Sequence, residues 1–315
     1  HDKIGDSMAG PGIRYHYMAQ ELSRHFDVTV GFFDPSYLPN KKFKKNYEVT
    51  HIHAPDFFKT FIEFETVIAL WLSREMIDYC NEKSIFIVFD VYAPVPVENL
   101  ALTMFNNKKI KPEDEFSYDQ TIEMYKYFFA KGDLFLFSNR RQLDFWTGYV
   151  FGSNLVTLNS YGKRPFYERF LYAPMGINTK IKLQHTNKVM RNKLPGITNT
   201  DKILLWTGGI WNWFDGKVLI KAMALINKER PDIKLVFFGT KHPNPNVPEM
   251  KESKDTKELA KSLGLLGKSV HILEGWVDYK DRQNYLIEAD VAVSTCKLSI
   301  ESEFSHRTRV LDHIL

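Results

Sequence analysis

Short apolar runs alternate with amphipathic stretches along nearly the whole chain. Val28–Phe33, Thr50–His53, Ser84–Phe89, Asp133–Phe137 and Leu155–Leu158 have the length and β-branched or aromatic character of strands. Between them, apolar positions recur with helical spacing at Gly12–His25, Glu63–Glu82, Asp119–Lys131 and Asn139–Gly148. The pattern breaks at residues 179–201, which are polar and contain Pro195-Gly196, a composition that suits a domain linker. A second series follows. Lys202–Trp206, Lys234–Phe238, Val270–Leu273 and Val291–Ser294 read as strands; Asp215–Lys228, Asp255–Leu263 and Asp281–Glu288 read as helices.

Such alternation predicts an α/β fold with mostly parallel sheets covered by helices. The break divides an N-terminal domain at 1–178 from a C-terminal domain at 202–315, joined by the linker at 179–201. Two Rossmann-like lobes of this kind leave an interdomain cleft, a common place for a ligand. No strand precedes the first helix, and the last helical stretch breaks off at Ile314-Leu315, so the sequence reads as incomplete at both ends.

Composition narrows the function classes. An apolar share of 44% and a charged share of 25% over 315 residues are ordinary globular values. With 24 Phe, 15 Tyr and 6 Trp, the cores can be large without disulfides. The two cysteines, Cys80 and Cys296, make no disulfide or metal framework, and a reduced cytoplasmic setting is expected. No apolar run approaches the ~20 residues of a membrane span, and no stretch reads as a signal peptide. The net charge of +4 is mild and no nucleic-acid module is recognisable. The basic run Asn40-Lys-Lys-Phe-Lys-Lys45 is a solvated loop in the plainer reading; the alternative is peripheral contact with anionic lipid at the inner face of the cell membrane.

The richest chemistry lies near the end, in Glu301-Ser-Glu-Phe-Ser-His-Arg-Thr-Arg-Val-Leu-Asp312, just after the apolar run Asp290–Thr295. Ligands of parallel α/β sheets bind where strands turn into helices. Guanidinium forks at Arg307 and Arg309 suit phosphate, and the carboxylates of Glu301, Glu303 and Asp312 suit sugar hydroxyls. This reads as the donor site of a sugar-nucleotide enzyme.

Other motifs fit beside it. Met8-Ala-Gly-Pro-Gly-Ile-Arg14 opens a helix, where Gly10 and Gly12 let backbone N–H groups approach an anion; the alternative is a tight turn. Gly208 and Gly209 stand between a strand and a helix capped by Asp215, with Trp211 and Trp213 either walling a pocket or packing in a core. Gly239 closes another strand, followed by Lys241 as a phosphate contact, or the two form a plain strand-exit turn. Trp276 in Glu274-Gly-Trp-Val277 presents an aromatic edge to a base or packs between domains, and Arg282 reads as a surface cap or ion pair. Asp90 ends a strand, where it orients an acceptor hydroxyl or serves as a turn residue. Arg140 and Arg141 have acceptor contact as one reading and surface exposure as the other. His16, His51 and His53 are scattered, and no cluster has metal-ligand spacing.

Taken in order, Met8–Arg14, Tyr172-Ala-Pro-Met-Gly-Ile177, Trp206–Asp215 and Glu301–Asp312 resemble family-4 retaining glycosyltransferases of the GT-B fold, across nearly the whole chain. The resemblance implies transfer of a hexosyl-type sugar from a nucleotide diphosphate sugar to a hydroxyl of a glycan or lipid-linked acceptor, as in polysaccharide biosynthesis. It implies retention at the anomeric carbon, no resident cofactor and no metal. In this likeness the first acidic position, Glu301 or Glu303, meets the donor sugar and Asp312 holds the ribose. Arg307 and Arg309 neutralise the diphosphate, and Lys217 is a candidate for the basic position that Trp211–Asp215 displaces. The alternatives are a sugar-nucleotide epimerase of the same fold, or a non-catalytic glycan-binding relative.

Overall fold

A computed structural model of the chain describes residues 3–314 apart from 41, 54, 55, 107, 108, 164, 181, 241, 243, 245 and 246. Two compact units emerge from the contacts. One comprises His1–His51, Gly176–Lys297 and Arg307–Leu315, the other Ile52–Met175 and Leu298–His306.

The unit built on residues 52–175 and 298–306 has a four-stranded parallel sheet, in spatial order β3 (Thr66–Ala69), β4 (Phe86–Asp90), β5 (Leu134–Phe137) and β6 (Phe170–Tyr172). Parallel strands need long crossovers, and helices supply them. Helix α3 (Arg74–Glu82) starts where Ser73 accepts from the Met76 N–H. Helix α5 (Pro112–Lys131) has Pro112 in its first turn, followed by three acidic residues that favour the positive end of the helix dipole. Helix α6 (Arg140–Gly152) is capped by Asn139, whose side chain accepts from the Gln142 N–H at 2.9 Å. The core is aromatic. Phe89 stacks on Phe128 at 4.3 Å, and Tyr125 on Trp146 at 4.7 Å.

Several expected elements differ here. Glu63–Glu82 is not one helix: its first part carries β3, where β-branched Thr66 and Val67 open a strand, and α3 takes only the second part. Leu155–Leu158 is not a strand. Asn154, at φ 55°, ends α6, and Leu158 already opens helix α7 (Leu158–Lys163). The edge strand is β6 instead, and helix α4 (Val95–Asn106) lies where no helix was expected.

The other unit holds a two-stranded parallel sheet, β1 (Thr29–Phe32) with β2 (Glu48–His51), and a four-stranded parallel sheet in the order β10 (Val291–Ala292), β7 (Lys202–Thr207), β8 (Ile233–Phe238), β9 (Val270–Ile272). Ile203, Leu205 and Val236 are buried in its core with Met190. Helix α1 (Gly10–Leu22) packs near the first sheet; Ile4, Met8 and Phe32 form a small cluster there. A Cβ on Gly12 would collide with the backbone carbonyl of Lys3, so close approach of residues 3–8 demands glycine at this position. Gly12→Ala is therefore expected to destabilise the protein by about 2 kcal/mol despite alanine's higher helix propensity, read as a lower urea midpoint. An unchanged midpoint contradicts this packing.

Residues 184–191, inside the expected linker, are pinned along helix α11 (Arg282–Glu288). Gln283 accepts from the Gln184 N–H, Asn284 from Thr186 and Asn187, and Glu288 from Val189, Met190 and Arg191. Backbone N–H groups of the expected linker are thus tied to one helix face.

Candidate functional site

Strands β7 and β8 end side by side on glycines. Gly208 has φ 80° and Gly239 φ 69°, left-handed values that disfavour side chains. The Gly208 N–H donates to the Phe238 carbonyl at 2.9 Å, and a Cβ on Gly239 would stand 3.4 Å from the Gly208 Cα. The two turns are thus packed backbone to backbone at the carboxyl ends of a parallel sheet, the end where such sheets bind ligands.

Aromatic rings border these turns. Trp211 lies against Gly209 and stacks on the buried Trp213, centroids 5.1 Å apart and planes parallel within 1°. His242 meets Trp211 edge-on at 6.2 Å and Trp276 at 5.9 Å, and Trp276 borders Gly239. Of the tryptophan pair, Trp213 packs in the interior and Trp211 stays partly open. The turn carrying them is laced down. Lys297 Nζ donates to the Asn212 carbonyl at 2.6 Å and pairs with the buried Glu252 at 2.7 Å.

Helix α13 (Thr308–Asp312) brings the arginines. The Arg309 guanidinium covers the rings of Phe214 at 4.1 Å and Trp206 at 4.9 Å, and Arg307 covers Phe214 at 4.9 Å. Arg309 Nη2 donates to the Gly209 carbonyl at 2.6 Å, while its buried Nη1 has no hydrogen-bond partner. Burial, followed by the neighbouring Arg307, pushes the Arg309 pKa down to about 9. The ring of partners is therefore rich in donors and poor in acceptors: Trp213 Nε1 and Trp276 Nε1 are also buried without one. Gly10, at the start of α1, comes close to Thr308, where a Cβ would stand 3.3 Å from its hydroxyl. One unit thus gathers Gly10, Gly12, Gly208, Gly209, Gly239, Trp276, Arg307, Arg309 and Asp312.

Asp312 closes α13, and its carboxylate pairs with Arg282 at 2.8 Å. Burial pushes its pKa up, against the opposing pull of Arg282 and Arg309. Arg282 is accordingly no surface pair. It is largely buried and stacks on Tyr279 at 3.6 Å. Sequence reasoning missed this role; the only signal is the i,i+3 spacing of Tyr279 and Arg282.

The other expected residues lie elsewhere. Asp90 is buried at the end of β4, in the unit of residues 52–175 and 298–306. Glu301 and Glu303 belong to that unit too, on helix α12 (Ile300–Phe304). Glu301 is fully buried and accepts from the Ser305 hydroxyl at 2.5 Å, whereas Glu303 is exposed and pairs with Arg141. Residues 298–306 are held there by Gln142 and Asn139, which both donate to the Phe304 carbonyl. Arg140 pairs with Asp144 on the surface. Lys217 is engaged by Glu252 at 3.2 Å and Asp255 at 3.4 Å, which uses its charge inside the fold. His16 is bonded to the Tyr47 hydroxyl at 2.7 Å, and burial lowers its pKa to about 4, so it acts as a structural residue. His51 and His53 are exposed, beside the Phe33 carbonyl and Asp56 respectively. Lys241 and Lys41 lie outside the described residues. Among the described residues no helix is long and apolar enough to cross a membrane.

No family model and no curated protein matches the sequence. Among solved structures, the chain is similar to HepE of Anabaena, crystallised with UDP and glucose, at 13% identity and a TM-score of 0.54, over 94% of this chain and 74% of that one. It is also similar to a glycosyltransferase of Rickettsia africae, at 14% identity and a TM-score of 0.50, over 93% and 71%. At such identities the likeness is one of fold alone: the chain is an α/β protein with parallel sheets.

Proposed function

We propose that the protein is a family-4-like retaining glycosyltransferase, moving a sugar from a nucleotide diphosphate sugar to a hydroxyl of a glycan or lipid-linked acceptor. The observation that carries this reading is Arg309, a buried guanidinium beside the Gly208–Gly209 turn with one nitrogen unpartnered. A buried cation of this kind calls for an anion, and a diphosphate supplies both charge and acceptor oxygens. The similar HepE, crystallised with UDP and glucose, supports a nucleoside diphosphate as the occupant.

In this mechanism Arg307 and Arg309 take up the charge that grows on the leaving diphosphate as the glycosidic bond breaks. Gly208, Gly209 and Gly239 admit its oxygens close to the backbone, and the N-terminus of α1 at Gly10 and Gly12 adds a favourable dipole. Trp276 borders the base and Asp312 holds the ribose. Glu301, Glu303 and Asp90 lie in the other unit, and no step of this scheme is assigned to them. No metal and no resident cofactor enter this scheme. Calorimetric titration of the protein with UDP and with GDP tests the reading, with Arg307→Ala expected to bind more weakly. Binding of neither nucleotide overturns it.

The setting proposed is the cytoplasm, with peripheral contact at the inner face of the cell membrane. Lys42, Lys44, Lys45, Phe43 and Val49 line a groove of about 580 Å³, and each lysine near an anionic surface contributes about 1 kcal/mol. The protein is expected to sediment with vesicles containing phosphatidylglycerol and not with pure phosphatidylcholine. Replacing the three lysines by glutamate, or adding about 0.5 M salt, should release it. Equal sedimentation with both vesicle types contradicts the proposal.

A further inference from the structure

Asp312, the carboxylate assigned to the ribose, does not stand alone. Arg282 Nη1 donates to its Oδ2 at 2.8 Å, and the Arg282 guanidinium lies over the Tyr279 ring at 3.6 Å. The Tyr279 hydroxyl is in turn 2.9 Å from that of Tyr17 on α1, and the Tyr279 N–H donates to the Asp6 carbonyl at 2.6 Å. Ser7 donates to Asp278 beside it at 3.1 Å. Every link in this chain fixes the next. Residues 6 and 7 and Tyr17 hold Tyr279, Tyr279 supports the plane of Arg282, and Arg282 holds the carboxylate.

We infer that Arg282 is a positioning residue for nucleotide recognition, fixing the Asp312 carboxylate so that it accepts hydrogen bonds from the ribose hydroxyls of the donor. The inference rests on the ribose assignment of Asp312 made above. A salt bridge this sheltered contributes little stability, because desolvating both partners offsets their attraction. Its other effect is orientation and charge. Among the described residues, Arg282, Arg309 and the Tyr279 hydroxyl are the charged or titratable groups that act on Asp312. The two arginines favour the carboxylate, whereas burial disfavours it. Without Arg282, burial is opposed by Arg309 alone, and Arg309 itself has its charge disfavoured by burial and by Arg307. The carboxyl then holds its proton to higher pH, and a protonated carboxyl is a poorer acceptor for a hydroxyl.

The test compares UDP with 2′-deoxy-UDP, and GDP with 2′-deoxy-GDP, by calorimetry from about pH 5.5 to 8.5. The proteins are wild type, Asp312→Asn, Arg282→Gln and Arg282→Lys. The wild type is expected to favour the ribonucleotide about tenfold, the worth of one hydrogen bond to a charged group. Asp312→Asn should lose most of that preference at every pH. Arg282→Gln should lose it at the acid end and regain part of it as pH rises, while Arg282→Lys should restore it in part. Carbon-13 titration of the Asp312 carboxyl in Arg282→Gln, read without nucleotide, should show its midpoint moved up. An Arg282→Gln protein that is folded and keeps both the wild-type preference and the wild-type carboxyl titration overturns the positioning role. If Asp312→Asn itself leaves the preference intact, the ribose assignment fails and the inference falls with it. Loss of the preference in Asp312→Asn but not in Arg282→Gln removes the positioning role alone.

Discussion

Arg309→Met is expected to weaken the proposed binding of a nucleoside diphosphate by at least about a hundredfold, without lowering the thermal midpoint. Methionine keeps the length and apolar contact that Arg309 makes over Phe214 and Trp206, so packing at the end of β7 is preserved. What disappears is charge. The substitution removes the unpartnered Nη1 donor and the Nη2 bond to the Gly209 carbonyl. Charge-assisted bonds to an anion are worth about 1.5–3 kcal/mol each, so losing two of them gives the predicted factor. Stability moves the other way. Burial and the adjacent Arg307 already press the Arg309 pKa down to about 9, well below the usual value for arginine, so the folded state carries this cation at a cost. Removing a cation held at such a cost relieves it, which offsets the acceptor left at the Gly209 carbonyl. Calorimetry and a thermal melt on the same preparation check both halves. Unchanged affinity together with a lowered midpoint would mean that Arg309 is a structural strut, and the donor site would have to be sought elsewhere.

The second large effect is on stability. Glu288→Ala is expected to cost about 4 kcal/mol and to lower the thermal midpoint by roughly 10 °C. The Glu288 carboxylate, almost fully buried, accepts from the N–H groups of Val189 at 2.9 Å, Met190 at 2.7 Å and Arg191 at 2.7 Å, and from His185 at 2.8 Å. Removing it strands three backbone donors, one of them on fully buried Met190, and each stranded donor bears its full desolvation penalty. Burial alone would raise the pKa of Glu288. The backbone N–H groups and His185 outweigh it and hold the carboxyl below its ordinary value. The folded state therefore favours the ionised form. This contribution is fully present above the unfolded pKa of about 4.5 and disappears as pH falls through the lower folded value. Urea unfolding of wild type and Glu288→Gln should accordingly be furthest apart above about pH 4.5 and draw together as pH falls through the lower folded value. Parallel stability curves across that range would contradict the assignment.

These effects show what a sequence can and cannot reveal. Strands β7, β8 and β9 were legible because a run such as Lys202–Trp206 is apolar over a strand's length and is bounded by polar or glycine residues. Caps were legible too. Asp215 was read as the N-cap of the helix after the glycine pair, and it accepts from the Val218 N–H at 3.1 Å. The failures share a cause. β3 is a four-residue run inside a stretch with helical spacing, and β6 is a three-residue edge strand. Each is a strand because of the neighbour it pairs with, Phe86–Phe89 and Phe135–Phe137 respectively, and pairing is invisible to a local window.

The candidate site divides along the same line. Gly208, Gly209, Gly239, Arg307 and Arg309 could be named from local chemistry, since glycines after strands and arginines at a helix start are legible residue by residue. Their convergence could not: Arg309 reaches Gly209 across a hundred residues of chain, and Arg282 finds Asp312 across thirty. Sequence alone determined the α/β class and the side-chain chemistry on offer, because periodicity, capping and side-chain type act within a few residues. Tertiary structure alone decided which guanidinium lost its water and which carboxylate gained a partner. Burial and pairing are set by whatever the rest of the chain packs against each group.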